Sequence, residues 1–159
     1  MNQRLHIHPY EKAFVGAGIV MLVVFIVTVA VSGVVAGIDL PSPFERIDPN
    51  TLSEDPYFAQ GGVRELAPYK YEVHIRAQTW QWNPNQIRVP AGSTVTFFLA
   101  SQDVQHGFKV QNTNINIMVL PGQVSKVTYT FEEPGEYYFV CHEYCGVGHQ
   151  EMYGIIIVE

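Results

Sequence analysis

The chain has 159 residues, 47% hydrophobic and 15% charged, which leaves room for about one domain and an anchor but not for a multi-helix membrane core. Its formal charge of −6 is uneven, because from residue 38 onward seven Lys/Arg oppose fourteen Asp/Glu, a balance of −7. An acidic body of this kind argues against a nucleic-acid partner and suits a basic protein partner or plain solubility.

In chain order, residues 1–12 form a short polar terminus. Its His6 and His8 are read as solvated, since a His-x-His on a short terminus is more often that than a metal site. From 13 to 37 there is no Asp, Glu, Lys or Arg. At about 1.5 Å per residue a helix of this length crosses a hydrocarbon core of about 30 Å with some tilt. One transmembrane helix over 13–37, in contact with membrane lipid, is therefore predicted. The run exceeds the apolar stretch of about 7–15 residues in a signal peptide. Arg4 and Lys12 precede it and only Arg46 follows closely, which puts residues 1–12 in the cytoplasm and the rest outside the cell membrane.

Residues 38–69 hold Pro41, Pro43, Pro49, Pro56, Pro68, Gly61 and Gly62 and predict an irregular, semi-rigid linker. From 70 to 159 the pattern changes to short strands, at 71–82, 93–100, 108–110, 115–120, 124–131, 136–140 and 153–158. Alternation is clear in Val124-Ser-Lys-Val-Thr-Tyr-Thr-Phe131, and Pro121-Gly122 and Pro134-Gly135 mark turns. The expected fold is an all-β Greek-key sandwich behind one N-terminal transmembrane α-helix, with functional groups on loops at one end. Trp80 and Trp82, two apart on one predicted strand, would share a face.

The chemistry concentrates in Cys141-His-Glu-Tyr-Cys-Gly-Val-Gly-His-Gln-Glu-Met152. Offsets of four, four and three would align Cys141, Cys145, His149 and Met152 on a helix, but Gly146, Gly148 and the preceding aromatic, β-branched run favour a loop leaving a strand. Thiolate, imidazole and thioether together select copper over hard cations. Two alternatives stand beside it: a Cys141–Cys145 disulfide, and a zinc site that leaves Met152 without a purpose. A mononuclear blue copper site needs one thiolate, whereas two thiolates can bridge two copper ions with one imidazole on each. The second imidazole must come from elsewhere, and His106 is the best candidate.

Cys-x3-Cys-x3-His-x2-Met with a histidine 35 positions upstream resembles the ligand set of subunit II of the haem-copper cytochrome c oxidases, whose outer domain has the cupredoxin fold. The resemblance implies a dinuclear CuA centre with Cys141 and Cys145 as bridging thiolates and His106 and His149 as terminal imidazoles. Met152 and the backbone carbonyl of Glu143 would be weak axial ligands. It implies an electron-uptake subunit that takes electrons from cytochrome c and passes them to haem in subunit I, where haem and CuB reduce oxygen and protons are moved. Trp80 matches the exposed aromatic where electrons enter. No nucleophile-base pair or open metal position is visible in this chain, so catalysis belongs to the complex.

Glu45-Arg46-Ile47-Asp48-Pro49, Asn114-Ile115-Asn116-Ile117 and the single helix resemble the ba3-type branch. So does Tyr10-Glu11-Lys12, which implies a proton-uptake role for Glu11. Glu143 departs from that branch and resembles the mitochondrial type, in which this carboxylate also meets Mg2+. Two other readings are a membrane-tethered copper carrier or sensor and the CuA domain of a nitric or nitrous oxide reductase.

Overall fold

The computed structural model describes residues 8–37 and 43–159, and they fall into two units, 1–38 and 39–159. His6 and Arg4 lie outside the described residues, as does the start of the expected linker, 38–42.

The first unit is a single helix, α1 (Pro9–Val35). It starts earlier than the uncharged run because Pro9 is preset for a first helical turn and the flanking residues cap it. The Glu11 carboxylate accepts the His8 backbone N–H at 3.0 Å, and His8 Nδ1 accepts from the Tyr10 N–H at 3.4 Å. Thr28 returns its hydroxyl to the Val24 carbonyl at 2.8 Å, so this polar group needs no outside partner. Phe14, Ile19, Leu22, Phe25 and Ile26 are all exposed, and no residue of α1 is buried. An apolar surface on every side calls for lipid or a partner helix.

The second unit is a two-sheet β-sandwich. Among the described residues its strands are β1 (Pro43–Arg46), β2 (Gly62–Ala67), β3 (Lys70–Gln78), β4 (Gln81–Asn83), β5 (Gln86–Val89), β6 (Ser93–Ser101), β7 (His106–Val110), β8 (Asn116–Val119), β9 (Gln123–Phe131), β10 (Gly135–Cys141) and β11 (Tyr153–Val158). One sheet runs β1-β9-β6-β3-β2 with β4 paired to β3, and the other β5-β11-β10-β7-β8. β3 with β6 and β5 with β11 are parallel, and the other strand pairs are antiparallel. Alternation places Val73, Ile75 and Ala77 of β3 and Val95, Phe97 and Leu99 of β6 inside, against Phe108, Phe139 and Ile156 of the facing sheet.

Two sequence expectations change here. The segment expected as a linker over 38–69 carries β1, β2 and a 3-10 turn at Pro49–Thr51. Its Leu52 and Phe58 pack with Phe98, Ala100 and Val124 in a second cluster on the outer face of the first sheet. β6 is thus apolar on both sides from Phe97 to Ala100 and has to be covered twice. The predicted strand 71–82 is a hairpin, β3 and β4, turning at Thr79-Trp80. Trp80 therefore does not share a face with Trp82, which is 1% exposed in the core.

Candidate metal centre

His106 opens β7 and Cys141 closes β10, and the two strands pair, with Phe108 opposite Cys141. That pairing brings the His106 Nδ1 to 3.8 Å from the Cys141 sulfur across 35 residues of sequence. The loop after Cys141 folds back on itself. Cys145 Sγ lies 3.9 Å from Cys141 Sγ, 3.6 Å from His149 Nδ1 and 3.7 Å from the Met152 sulfur. The Glu143 carbonyl oxygen is 3.2 Å from Cys141 Sγ. All five residues foreseen from the spacing converge, and the Glu143 contact is made by its backbone. A 3-10 turn at His149–Glu151 orients His149, and β11 begins directly after Met152.

The loop is held from below. Cys141, Cys145 and Met152 belong to the main core cluster. The Met152 carbonyl accepts from the Cys141 N–H at 3.0 Å and from the Trp82 indole N–H at 3.4 Å. From above it is held by Trp80, whose indole lies over the loop glycines. A Cβ on Gly148 would come within 2.7 Å of the ring, and Gly146 takes a φ of +118°. These glycines do more than exclude a helix: they leave room for the indole. Trp80 itself adopts φ +69°, a left-handed conformation that costs a non-glycine residue about 1–2 kcal/mol. Nothing in the sequence pattern announced that turn.

The ionisable groups of the site act on one another through their contacts. Burial alone would raise the Cys141 thiol, but hydrogen bonds from His106 and from the backbone at Gly107 and Glu143 outweigh it and bring it down to about 6. Burial and the Cys141 thiolate push Cys145 up to about 11, so the two sulfurs hold one proton between them near neutral pH. His106 is fully buried. Burial lowers its pKa, yet hydrogen bonds to Cys141 and Asp103 raise it by more. Its Nε2–H donates to Asp103 Oδ1 at 2.9 Å, which turns Nδ1 toward the sulfur as the ring nitrogen that would bind metal once its own proton is given up. Asp103 was not singled out in the sequence. Its place three residues before His106, on the loop entering the same strand, is the signal that could have found it.

Both cysteines are free thiols, and at 3.9 Å their sulfurs are well beyond a disulfide bond of about 2.05 Å. The ligand atoms of His106, Cys141 and Cys145 all lie within 4.8 Å of one another. The donor set is two cysteine sulfurs, two imidazole nitrogens and a thioether, which does not suit a hard cation; the cysteines and histidines alone would also suit zinc, and the Met152 thioether among them is what favours copper.

A family profile for the periplasmic domain of cytochrome c oxidase subunit II matches residues 73–159. The chain belongs to the cytochrome c oxidase subunit II family. A cytochrome c oxidase subunit 2 of Thermus thermophilus is 42% identical over 154 residues, covering 94% of this chain and 92% of the relative. A chain of a heme-copper terminal oxidase dimer solved by cryo-EM superposes with TM-score 0.77 at 35% identity, covering 94% of this chain and 99% of that one. The periplasmic domain of subunit II (CoxB) of Bradyrhizobium japonicum, 20% identical with TM-score 0.52 over 55% of this chain and 83% of that one, shares the fold. The chain is thus the electron-uptake subunit of an oxidoreductase complex, a single-pass membrane protein with a cupredoxin-like domain and a candidate copper site. The match runs through anchor and domain together, which disfavours the carrier, sensor and reductase readings.

Exposed apolar residues ring this end of the domain. Trp80 is 47% exposed, Tyr144 75% and Val147 81%, and the Tyr144 ring lies 5.9 Å from that of His149. Glu11, expected to collect protons, sits at the N-terminus of α1 with its carboxylate on the His8 N–H.

Proposed function

We propose that Cys141, Cys145, His106 and His149 would be the main ligands holding the two copper ions of a CuA centre, with Met152 and the Glu143 carbonyl as weaker ones. One observation carries this reading: two free thiol sulfurs 3.9 Å apart, each flanked by the Nδ1 of a different histidine. One-electron transfer from a c-type cytochrome to a haem of partner subunit I, for oxygen reduction at haem and CuB coupled to proton movement, is the chemistry that a bound copper pair supplies.

The chain's own residues prepare that chemistry. Burial of His106, Cys141, Cys145 and Met152 keeps water from the donor atoms. Their anchoring to the core and to Trp80 holds the donors in place, so little has to move when charge changes. The exposed ring of Trp80, Tyr144 and Val147 offers an apolar contact surface, and the acidic balance of the outer domain suits a basic cytochrome. Trp80, lying on the ligand loop and open to solvent, is the residue through which electrons enter. The domain stands on the extracytoplasmic side of the plasma membrane, with the uncharged run 13–37 in lipid and residues 1–12, including the first turn of α1, in the cytoplasm.

Electron paramagnetic resonance of the copper-loaded full chain tests the centre. Hyperfine structure from one electron shared equally by two copper nuclei is expected, and the pattern of a single nucleus would overturn the dinuclear reading. For Glu11 we carry the proton-uptake role implied by Tyr10-Glu11-Lys12. In the intact complex Glu11→Gln should slow proton uptake several-fold with copper content unchanged, because an amide cannot take up a proton. Wild-type uptake in flow-flash measurements would reduce Glu11 to the helix cap it forms with His8.

A further inference from the structure

Asp103 lies on the loop between β6 and β7, and both of its carboxylate oxygens are committed. Oδ1 accepts from the His106 Nε2–H at 2.9 Å and from the Val104 N–H at 2.6 Å, with the Ser101 hydroxyl at 3.4 Å. Oδ2 accepts from the backbone N–H of Thr79, 24 residues earlier in the chain. Thr79 and Trp80 are the two turn residues between β3 and β4, and Trp80 is the residue whose indole covers Gly146 and Gly148. A backbone hydrogen bond from Trp80 also reaches the Cys145 sulfur. The Trp80 turn therefore touches the ligand loop directly on one side and is bound to a ligand histidine through Asp103 on the other.

We propose that Asp103 is a positioning residue that ties the Trp80 turn to His106, so that one carboxylate fixes both the ring facing Cys141 and the ring stacked over the Cys145–His149 loop. The proposal rests on the copper reading above for its meaning in electron transfer, but its geometry belongs to the metal-free chain. A neutral imidazole can present a lone pair on either nitrogen, and the Asp103 carboxylate selects Nδ1 by holding the proton on Nε2. The Trp80 turn has a left-handed residue that works against it, and the Thr79 N–H bond to Asp103 offsets that cost. His149, on the other half of the site, rests on a 3-10 turn that begins at its own residue.

Asp103→Asn and Asp103→Ala in the full-length chain separate the two arms. An Asn side chain has one accepting oxygen, which stays with the three donors around Oδ1 and leaves its amide N–H2 facing the Thr79 N–H. In the metal-free chain, Thr79 amide exchange and acrylamide quenching of tryptophan fluorescence should both increase in the Asn and Ala variants. Buried Trp82 contributes little to that quenching. After copper loading, the Ala variant should bind copper about 10- to 100-fold more weakly, the loss typical of removing a carboxylate behind a ligand histidine. The Asn variant should stay closer to wild type in affinity. Both should show a raised reduction potential, because a negative charge beside the imidazole is gone. Wild-type Thr79 exchange in both variants, or wild-type copper affinity and potential in Asp103→Ala, overturns the proposal. Should the Ala variant not fold, the near-isosteric Asn variant decides by Thr79 exchange and potential. A wild-type chain that takes up no copper refutes the metal reading instead, while the exchange and quenching results still test the tie between Asp103 and the turn.

Discussion

The two halves of the candidate copper site are built differently. His106 and Cys141 stand on paired strands, with the imidazole fully buried and backed by Asp103. Cys145 and His149 stand on a loop and a 3-10 turn, with His149 half-buried beside the exposed Tyr144 and the Trp80 ring lying over the neighbouring Gly146 and Gly148. The deep half is fixed by the fold, and the outer half is fixed by side chains that a partner protein could touch. A donor that docks on this end would meet the outer half.

Alanine at each histidine should expose that difference most visibly. His106→Ala removes a buried ring and strands Asp103, and is expected to cost the metal-free domain about 2–4 kcal/mol as well as its copper. His149→Ala should lose copper comparably but cost less than about 1 kcal/mol of stability, since its ring is half-exposed. Chemical denaturation of both metal-free variants measures the contrast, and equal losses would mean that the halves are equally embedded.

A smaller effect is expected from Trp80→Ala. Electron uptake from cytochrome c should slow while the copper spectrum stays intact, because the indole covers the loop without donating a ligand atom. Stopped-flow reduction measures it. A normal rate removes the functional role, and loss of folded protein would make Trp80 a packing residue.

The smallest effect concerns a third histidine that sharpens the role of Asp103. His74 is enclosed by rings, stacked on Tyr57 at 5.0 Å and on Phe98 at 4.9 Å, with Phe58 edge-on at 5.3 Å. Burial lowers its pKa, only partly opposed by Glu72 and Asp55, whereas the Asp103-bonded His106 is raised. A histidine depressed on folding takes up its proton more readily when unfolded, so stability should fall as pH drops below the unfolded value near 6.5. The fall should stop once the folded state also protonates. Thermal unfolding of the metal-free chain between neutral and mildly acidic pH should show this slope, and His74→Phe should flatten it. An unchanged slope in that variant would assign it to other groups.

Much of the site could be read in advance because soft ligands at fixed offsets are a chemical signature that needs no tertiary knowledge. Cys141, Cys145, His149 and Met152 come from one stretch, and His106 follows from the need for a second imidazole. Asp103 stayed hidden because a carboxylate on a polar loop looks like any solvated acid until the β6–β7 loop is folded over Thr79. The strands of the sandwich were visible where alternation was clean, as in β9. β1 and β2 were missed because proline and glycine dominate their surroundings, and only tertiary pairing with β9 and β3 makes them strands. The Thr79-Trp80 turn was missed for a related reason: no glycine or asparagine marks the left-handed position.

The double covering of β6 has a practical consequence for anyone wanting the outer domain in solution. A cut at residue 69, where composition invites one, would remove Leu52 and Phe58 from Phe98, Ala100 and Val124 and strip β1 and β2 from the margins of the first sheet. The product would present an apolar patch beside two raw strand edges, a recipe for self-association. Cutting ahead of Pro43 keeps β1 and β2 on the two margins and Leu52 and Phe58 over β6, and a soluble fragment begun there should stay monomeric where the shorter one precipitates.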